Sequence, residues 1–139
     1  MSKLNIDYFI RCIETLERAF SLLNEQPEDG DLYDIYRAAC VKEFEIILEQ
    51  TGKLLKKCLK PYFSSPKQVD QLTFKDAFRV AAKHGLISLE DSERWLDYRD
   101  NRNSTAHDYG AGFADDTLAL LPQFILDAYQ ISNVIQNQP

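Results

Sequence analysis

Apolar residues in this chain return every three or four positions, the period of helices buried along one face. The first run covers Asp7 to Leu23, where Phe9, Ile13, Leu16, Ala19, Phe20 and Leu23 form one stripe. Pro27 and Gly30 then mark a turn. A second helix is predicted from Leu32 to Leu59, carried by Ile35, Ala38, Ala39, Val41, Phe44, Ile47, Leu48, Thr51, Leu54, Leu55 and Cys58. At ~1.5 Å per residue it spans ~40 Å, the scale of a helical bundle. The register puts Phe44, Ile47, Leu48 and Leu55 in the core and turns Lys56, Lys57 and Lys60 to solvent. Gly52 inside this helix costs roughly 1 kcal/mol against alanine. Either a close helix crossing or a plain soft spot accounts for it.

Pro61 stops the second helix, and Ser64-Ser65-Pro66 reads as a linker. Thr73, with Asp76 three residues on, is the signature of a capped third helix that closes at Gly85 after Lys83 and His84. His84 suits the negative end of that helix's dipole and reads as structural. Ser88 and Asp91 repeat the capping pattern and open a fourth helix running into residues 102–109. Trp95 and Tyr98, three apart on it, belong to a core or an interface rather than to a base-stacking platform. Gly110 and Gly112 form the break before a last helix from Asp115 to Ile135, in which Pro122 introduces a kink or sits near the first turns. The expectation is one all-α domain over residues 1–139, an antiparallel bundle of about five helices.

Composition narrows the class. At 139 residues, with 45% hydrophobic and 27% charged positions, the chain has the make-up of one folded domain with its own core. The apolar runs, such as Leu118-Ala119-Leu120-Leu121, are short for a bilayer. Asn5 and Asp7 interrupt any leader-like start, so the protein reads as cytoplasmic with no membrane partner. Cys12, Cys40 and Cys58 are odd in number and lack Cys-x-x-Cys spacing, which suits reduced, buried thiols. Two distant histidines and scattered thiols do not make a zinc site, and neither a metal nor another cofactor is expected. The net charge of −6 argues against a general RNA coat but leaves room for a local basic cleft. Lys53, Lys56, Lys57 and Lys60 make one basic cluster, read as a solvated helix face; Arg94, Arg99 and Arg102 make another.

The segment Arg102-Asn103-Ser104-Thr105-Ala106-His107-Asp108-Tyr109 carries the chemistry. Arginine is a fixed cation, whereas histidine changes charge near neutrality. Together they can hold a phosphodiester and move a proton on it without a metal. Asn103 and His107, four apart, share a face if the helix continues through them. The same residue types can also simply cap a helix end. Arg102, Asn103 and His107 are the candidate catalytic residues, and Tyr109 is a candidate for substrate binding or modification.

Over nearly its whole length the chain resembles the HEPN superfamily of small helical proteins, in the branch called nucleotidyltransferase substrate-binding proteins. The superfamily pattern is an arginine, four to six residues, then a histidine, often with a polar residue straight after the arginine. Here it stands as Arg102-Asn103-Ser104-Thr105-Ala106-His107, with the branch's tyrosine at Tyr109. The likeness extends to Val41-Lys42-Glu43-Phe44-Glu45, Lys53-Leu54-Leu55-Lys56-Lys57, Ser65-Pro66-Lys67, Ala77-Phe78 and Gly85-Leu86-Ile87. The resemblance implies a metal-independent endoribonuclease, active as a homodimer, that forms a toxin–antitoxin pair with a minimal nucleotidyltransferase encoded nearby. The transferase neutralises it, in some systems by adding AMP to the motif tyrosine. RNA or a nucleotide is the implied ligand. The alternative is a non-catalytic adaptor that binds the transferase or presents a nucleotide or other substrate to it.

Overall fold

Helix α2, Asp31–Leu59, is the axis around which the other elements assemble. The computed structural model describes residues 4–105 and 111–138, and the side chains of 103–105 and 111–113 lie outside that description. Around α2 are α1 (Asp7–Asn24), a single 3-10 turn (Lys60–Tyr62), α3 (Pro66–Asp70), α4 (Phe74–Lys83), α5 (Leu89–Thr105) and α6 (Ala111–Gln136). The described residues therefore hold six α-helices and no strand, an all-α bundle in which α1, α4 and α6 all pack on α2.

The periodicity of the first two helices translates directly into packing. Phe9, Ile13, Leu16, Ala19 and Leu23 of α1 are buried, as are Phe44, Ile47, Leu48 and Leu55 of α2. Lys57 and Lys60 are exposed, while Lys56 is only half-exposed and donates from Nζ to the Asp70 carbonyl at 3.0 Å. The apolar stripe also runs back through Leu32, Ile35 and Ala38, yet these side chains are exposed. Period identifies a face of a helix, not whether another element covers it.

Two local features depart from the expected pattern. Ser64-Ser65-Pro66 is not a plain linker: Ser65 accepts the Gln68 amide and Pro66 opens the five-residue helix α3. Proline at the first helical position forfeits an amide that would have had no intrahelical partner anyway. Gly112 does not break the chain, because α6 begins at Ala111. Pro122 lies inside α6, one residue past the fully buried Leu121.

The expected caps are present. Thr73 and Asp76 form a reciprocal capping box at 3.1 and 3.4 Å, and Ser88 Oγ accepts the Asp91 amide at 3.0 Å. Gly85, at φ 76°, ends α4: its amide donates to the Ala82 carbonyl and the Leu86 amide to Ala81, the paired bonds of a left-handed C-cap. His84 stacks on Tyr62 with ring centroids 4.2 Å apart, in keeping with a structural role.

Among the described residues one helix, α6 over Ala114–Gln136, is long and apolar enough to cross a membrane. Part of its apolar surface builds the core. Leu121, Phe124, Ile125, Ala128, Ile131 and Ile135 are buried, and α6 packs against α2, α1 and α5.

Trp95 and Tyr98 are 1% and 3% exposed, so they belong to the core and offer no surface for a dimer. Trp95 stacks on Phe78 at 5.3 Å, while Tyr98 meets Phe124 edge-on at 4.9 Å and Phe44 at 6.5 Å. This aromatic chain joins α2, α4, α5 and α6.

Gly52 is the other fixed point. A Cβ built there would lie 2.8 Å from Cδ2 of Phe74, so glycine is what lets the start of α4 seat against α2. The close approach, and not a soft spot, explains the residue. Gly52→Ala is expected to destabilise the protein, because overpacking of ~1–3 kcal/mol exceeds the ~1 kcal/mol gain in helix propensity. In a Phe74→Ala background the same change becomes neutral or stabilising. Denaturant midpoints of the four proteins in this cycle check both signs, and equal effects in the two backgrounds would refute the packing account.

Candidate functional site

The motif arginine sits in the last turn of α5, so whatever fixes α5 fixes Arg102. On its α4 side, Ser92 Oγ donates to the Phe78 carbonyl at 3.2 Å and Trp95 packs on the Phe78 ring. On its α6 side runs a ladder of polar contacts. Asp127, only 2% exposed, accepts from Arg94 Nε and Nη2 at 2.9 and 3.0 Å, from the Tyr98 hydroxyl at 2.6 Å and from Gln123 Nε2 at 3.0 Å. Two turns further along α5, Asn101 Nδ2 donates to Oγ1 of the fully buried Thr117 at 3.1 Å. That last contact lies one residue before Arg102.

Burying a carboxylate is costly unless it is paired and hydrogen-bonded. Burial by itself would raise the Asp127 carboxyl. The bonds from Arg94, Tyr98 and Gln123 outweigh it and hold the group below the ordinary carboxylate value. Burial, then the bond to that carboxylate, pushes the Tyr98 phenol far above its ordinary value, so Tyr98 remains a donor. Arg94 also meets Asp91 and Glu90 on its own helix. It is therefore neutralised and adds nothing to a basic cleft, which corrects its grouping with Arg99 and Arg102. A single carboxylate within an otherwise apolar stretch of α6 was the signal that a cation had to meet it.

The sequence-level candidates fall unevenly on the structure. Arg102 is half-buried at the end of α5, where a cation complements the helix dipole. Asn103 belongs to the same last turn, and its side chain lies outside the described residues. His107 and Tyr109 also lie outside them. Asn101, which ties the helix end to α6, is not among the sequence candidates. Its signal is only its spacing, seven residues past Arg94 on the α6 face. Among the described residues no group of three or more His, Cys, Asp or Glu side chains is placed to hold a metal ion. Cys40 and Cys58 are buried free thiols pushed up to about 11 by that burial, so they are poor nucleophiles at neutral pH.

The Asp127 cluster predicts a pH dependence. Its carboxyl binds a proton less readily when folded than when unfolded, so its stabilisation is present above the unfolded value of ~3.9 and is lost as pH falls through the lower folded value. Asp127→Asn should cost about 3 kcal/mol, the low end for breaking a buried ion pair because Arg94 keeps Asp91 and Glu90. The variant should also lose part of the stability change below about pH 4. Thermal unfolding of both proteins across the acid range tests this, and parallel curves would contradict it.

Comparison with known proteins places this architecture. A family model described as nucleotidyltransferase substrate binding protein like matches residues 10–137. The chain is similar to a Haemophilus influenzae protein named probable ribonuclease HepT, with 26% identity over 130 residues, covering 91% of this chain and 88% of that protein. A solved Haemophilus influenzae structure, described as revealing the fold of a substrate binding domain of a nucleotidyltransferase, shares the fold at a TM-score of 0.80. It is 24% identical and covers 96% of this chain and 100% of its own. A Thermus thermophilus crystal structure is similar at a TM-score of 0.65 and 25% identity, covering 88% of this chain and 99% of that one. With the family model spanning nearly all of its residues, this chain belongs to the nucleotidyltransferase substrate-binding protein family, within the HEPN superfamily.

Proposed function

We propose that this protein is a metal-independent endoribonuclease, the toxin of a toxin–antitoxin pair whose antitoxin is a minimal nucleotidyltransferase. The observation that carries the reading is Arg102 in the last turn of α5, beside the Asn101–Thr117 bond, with His107 five residues on in sequence. The similar Haemophilus influenzae protein named a probable ribonuclease supports it. In this reading the RNA 2′-hydroxyl attacks the adjacent phosphorus and the 5′-oxygen leaves. His107 takes or returns the proton, a role that suits a group titrating near neutrality. Arg102 holds the phosphate and stabilises its growing charge through a forked pair of N–H donors. Asn103 orients the histidine or the phosphate. One motif histidine per chain cannot serve as base and acid in a single step, so the active form is a homodimer that brings two copies together.

A second reading, an adaptor that presents a nucleotide or other substrate to the transferase, is favoured by the net charge of −6, which opposes tight RNA binding. One experiment separates them. Wild-type protein should cleave RNA in the presence of a chelator and sediment as a dimer at micromolar concentration. Arg102→Ala and His107→Ala should each lose at least ~100-fold in rate, the scale of a lost general base or oxyanion donor. Absence of cleavage by wild type, or full activity in both variants, would leave the adaptor reading. A wild-type protein that stays monomeric would remove the two-histidine scheme.

Tyr109 is the proposed point of control. Transfer of AMP from ATP to its phenolic oxygen, with release of pyrophosphate, would set a phosphodiester anion beside Arg102 and His107 in the sequence and block the site they form. Intact mass spectrometry after co-expression with the neighbouring transferase should show adenylyl additions on wild type and none on Tyr109→Phe. Additions that persist in the variant would rule this residue out.

A further inference from the structure

A small pocket of about 130 Å³ opens between α2, the start of α4 and α5, lined by Glu49, Gly52, Lys53, Lys56, Phe74 and Arg99 among others. It falls well below the ~300 Å³ at which small-molecule pockets begin, so it fits a group of phosphate size. Three cations converge there, and among the described residues none of them has a close carboxylate partner. Lys53 pairs with Glu49 only at 3.8 Å, with both side chains mostly exposed, a geometry worth little in water. Lys56 donates to the Asp70 backbone carbonyl, a neutral acceptor that fixes the ammonium without cancelling its charge. Arg99 lies over the Phe74 ring, its guanidinium carbon 5.2 Å from the centroid. That contact orients the guanidinium and leaves the charge intact. The neighbouring cations are committed elsewhere: Lys75 to Asp100, Arg94 to Asp127 and Asp91. In a chain of net charge −6, a pocket holding three cations and one loosely paired carboxylate is a local reversal of sign.

This reversal adjoins the motif. Arg99 and Arg102 are three apart on α5, which makes them surface neighbours with Cβ atoms ~5–6 Å apart. We propose that Lys53, Lys56 and Arg99 hold a backbone phosphate of single-stranded RNA flanking the bond cut at the Arg102 segment. This subsite rests on the nuclease reading above. Phosphate contacts of this kind fix the register of a strand without reading its sequence. The flat guanidinium of Arg99, backed by Phe74, can in addition stack on a base. Gly52, by letting Phe74 seat against α2, sets the floor on which Arg99 lies.

The test uses the full-length protein and a short 2′-O-methyl oligoribonucleotide, which binds but lacks the nucleophile. Anisotropy titrations across a range of salt concentrations compare wild type, Lys53→Gln, Lys53→Gln/Lys56→Gln and Arg99→Gln. The double variant should bind about tenfold more weakly. Its salt slope should be smaller by about 0.7, the contribution of one phosphate neutralised on a single strand. With cleavable RNA its KM should rise while kcat is kept. Lys53 is exposed, so Lys53→Gln reads the effect without threatening the fold. Wild-type affinity and slope in all variants would overturn the proposal, including the case in which the pocket serves an acidic protein segment instead. Wild-type binding with the expected slope but no cleavage of the unmodified RNA would support the subsite and end the nuclease reading.

Discussion

The carboxylate of Asp127 is the constraint on which the placement of α5, and with it Arg102, depends. A charge 2% exposed in the middle of an apolar helix is tolerable only if its partners arrive in one geometry. Arg94 supplies a bidentate fork, Tyr98 and Gln123 fill the remaining acceptor positions, and α5 thereby acquires a fixed rotation and translation against α6. An apolar interface holds such a relation only through the fit of its side chains, whereas a buried carboxylate also loses its hydrogen bonds if α5 slides or turns. With Asn101 bonded to Thr117 further along, the end of α5 is located relative to α6 before any chemistry is considered.

A second constraint reaches the same end from the opposite side. Helix α2 carries a glycine where α4 begins, Phe74 fills the space a side chain would need, and Arg99 of α5 lies on that ring. Sequence, packing and electrostatics are linked here through one missing methyl group. The glycine permits the aromatic seat, the aromatic orients a cation, and the cation stands one turn from Arg102. The two sides of α5 thus have opposite electrostatic fates: towards α6 its arginine is cancelled, and towards α2 and α4 its charge is retained.

The parts of this architecture written in local sequence were legible there. Helices α1, α2 and α4, and the caps at Thr73, Ser88 and Gly85, follow from periodicity and from short-range hydrogen bonding, which need no knowledge of what lies across the bundle. Helix α3 was not legible, because five residues are too few to show a period and Ser65-Pro66 serves a linker as readily as a helix start. Ile35 continues the stripe of α2 but faces solvent, since only tertiary structure decides which part of a stripe is covered. The pairing of Arg94 with Asp127 spans 33 residues of chain, so sequence groups Arg94 with its neighbours and not with its partner. Of the candidate site, sequence supplied the arginine, asparagine, histidine and tyrosine by spacing and resemblance. The structure adds the surroundings of Arg102 and the helical setting of Asn103, while His107 and Tyr109 fall outside the described residues.

Charge distribution makes the proposed RNA ligand compatible with an acidic protein. Long-range attraction scales with the summed field, and at a net charge of −6 this chain does not gather polyanions from a distance. Short-range binding depends instead on a few uncompensated cations within about a Debye length, ~8 Å at physiological salt. In the proposed subsite Lys53, Lys56 and Arg99 supply those cations, beside an Arg102 carried on a helix end that the Asn101–Thr117 bond ties to α6. On the proposed function, a protein built this way would discriminate against bulk nucleic acid by its overall repulsion and would retain affinity only for a strand that reaches the pocket and the motif together. The same acidity leaves the rest of the surface open to a protein partner, so a nuclease held in check by a transferase and an otherwise acidic helical bundle are compatible demands on one fold.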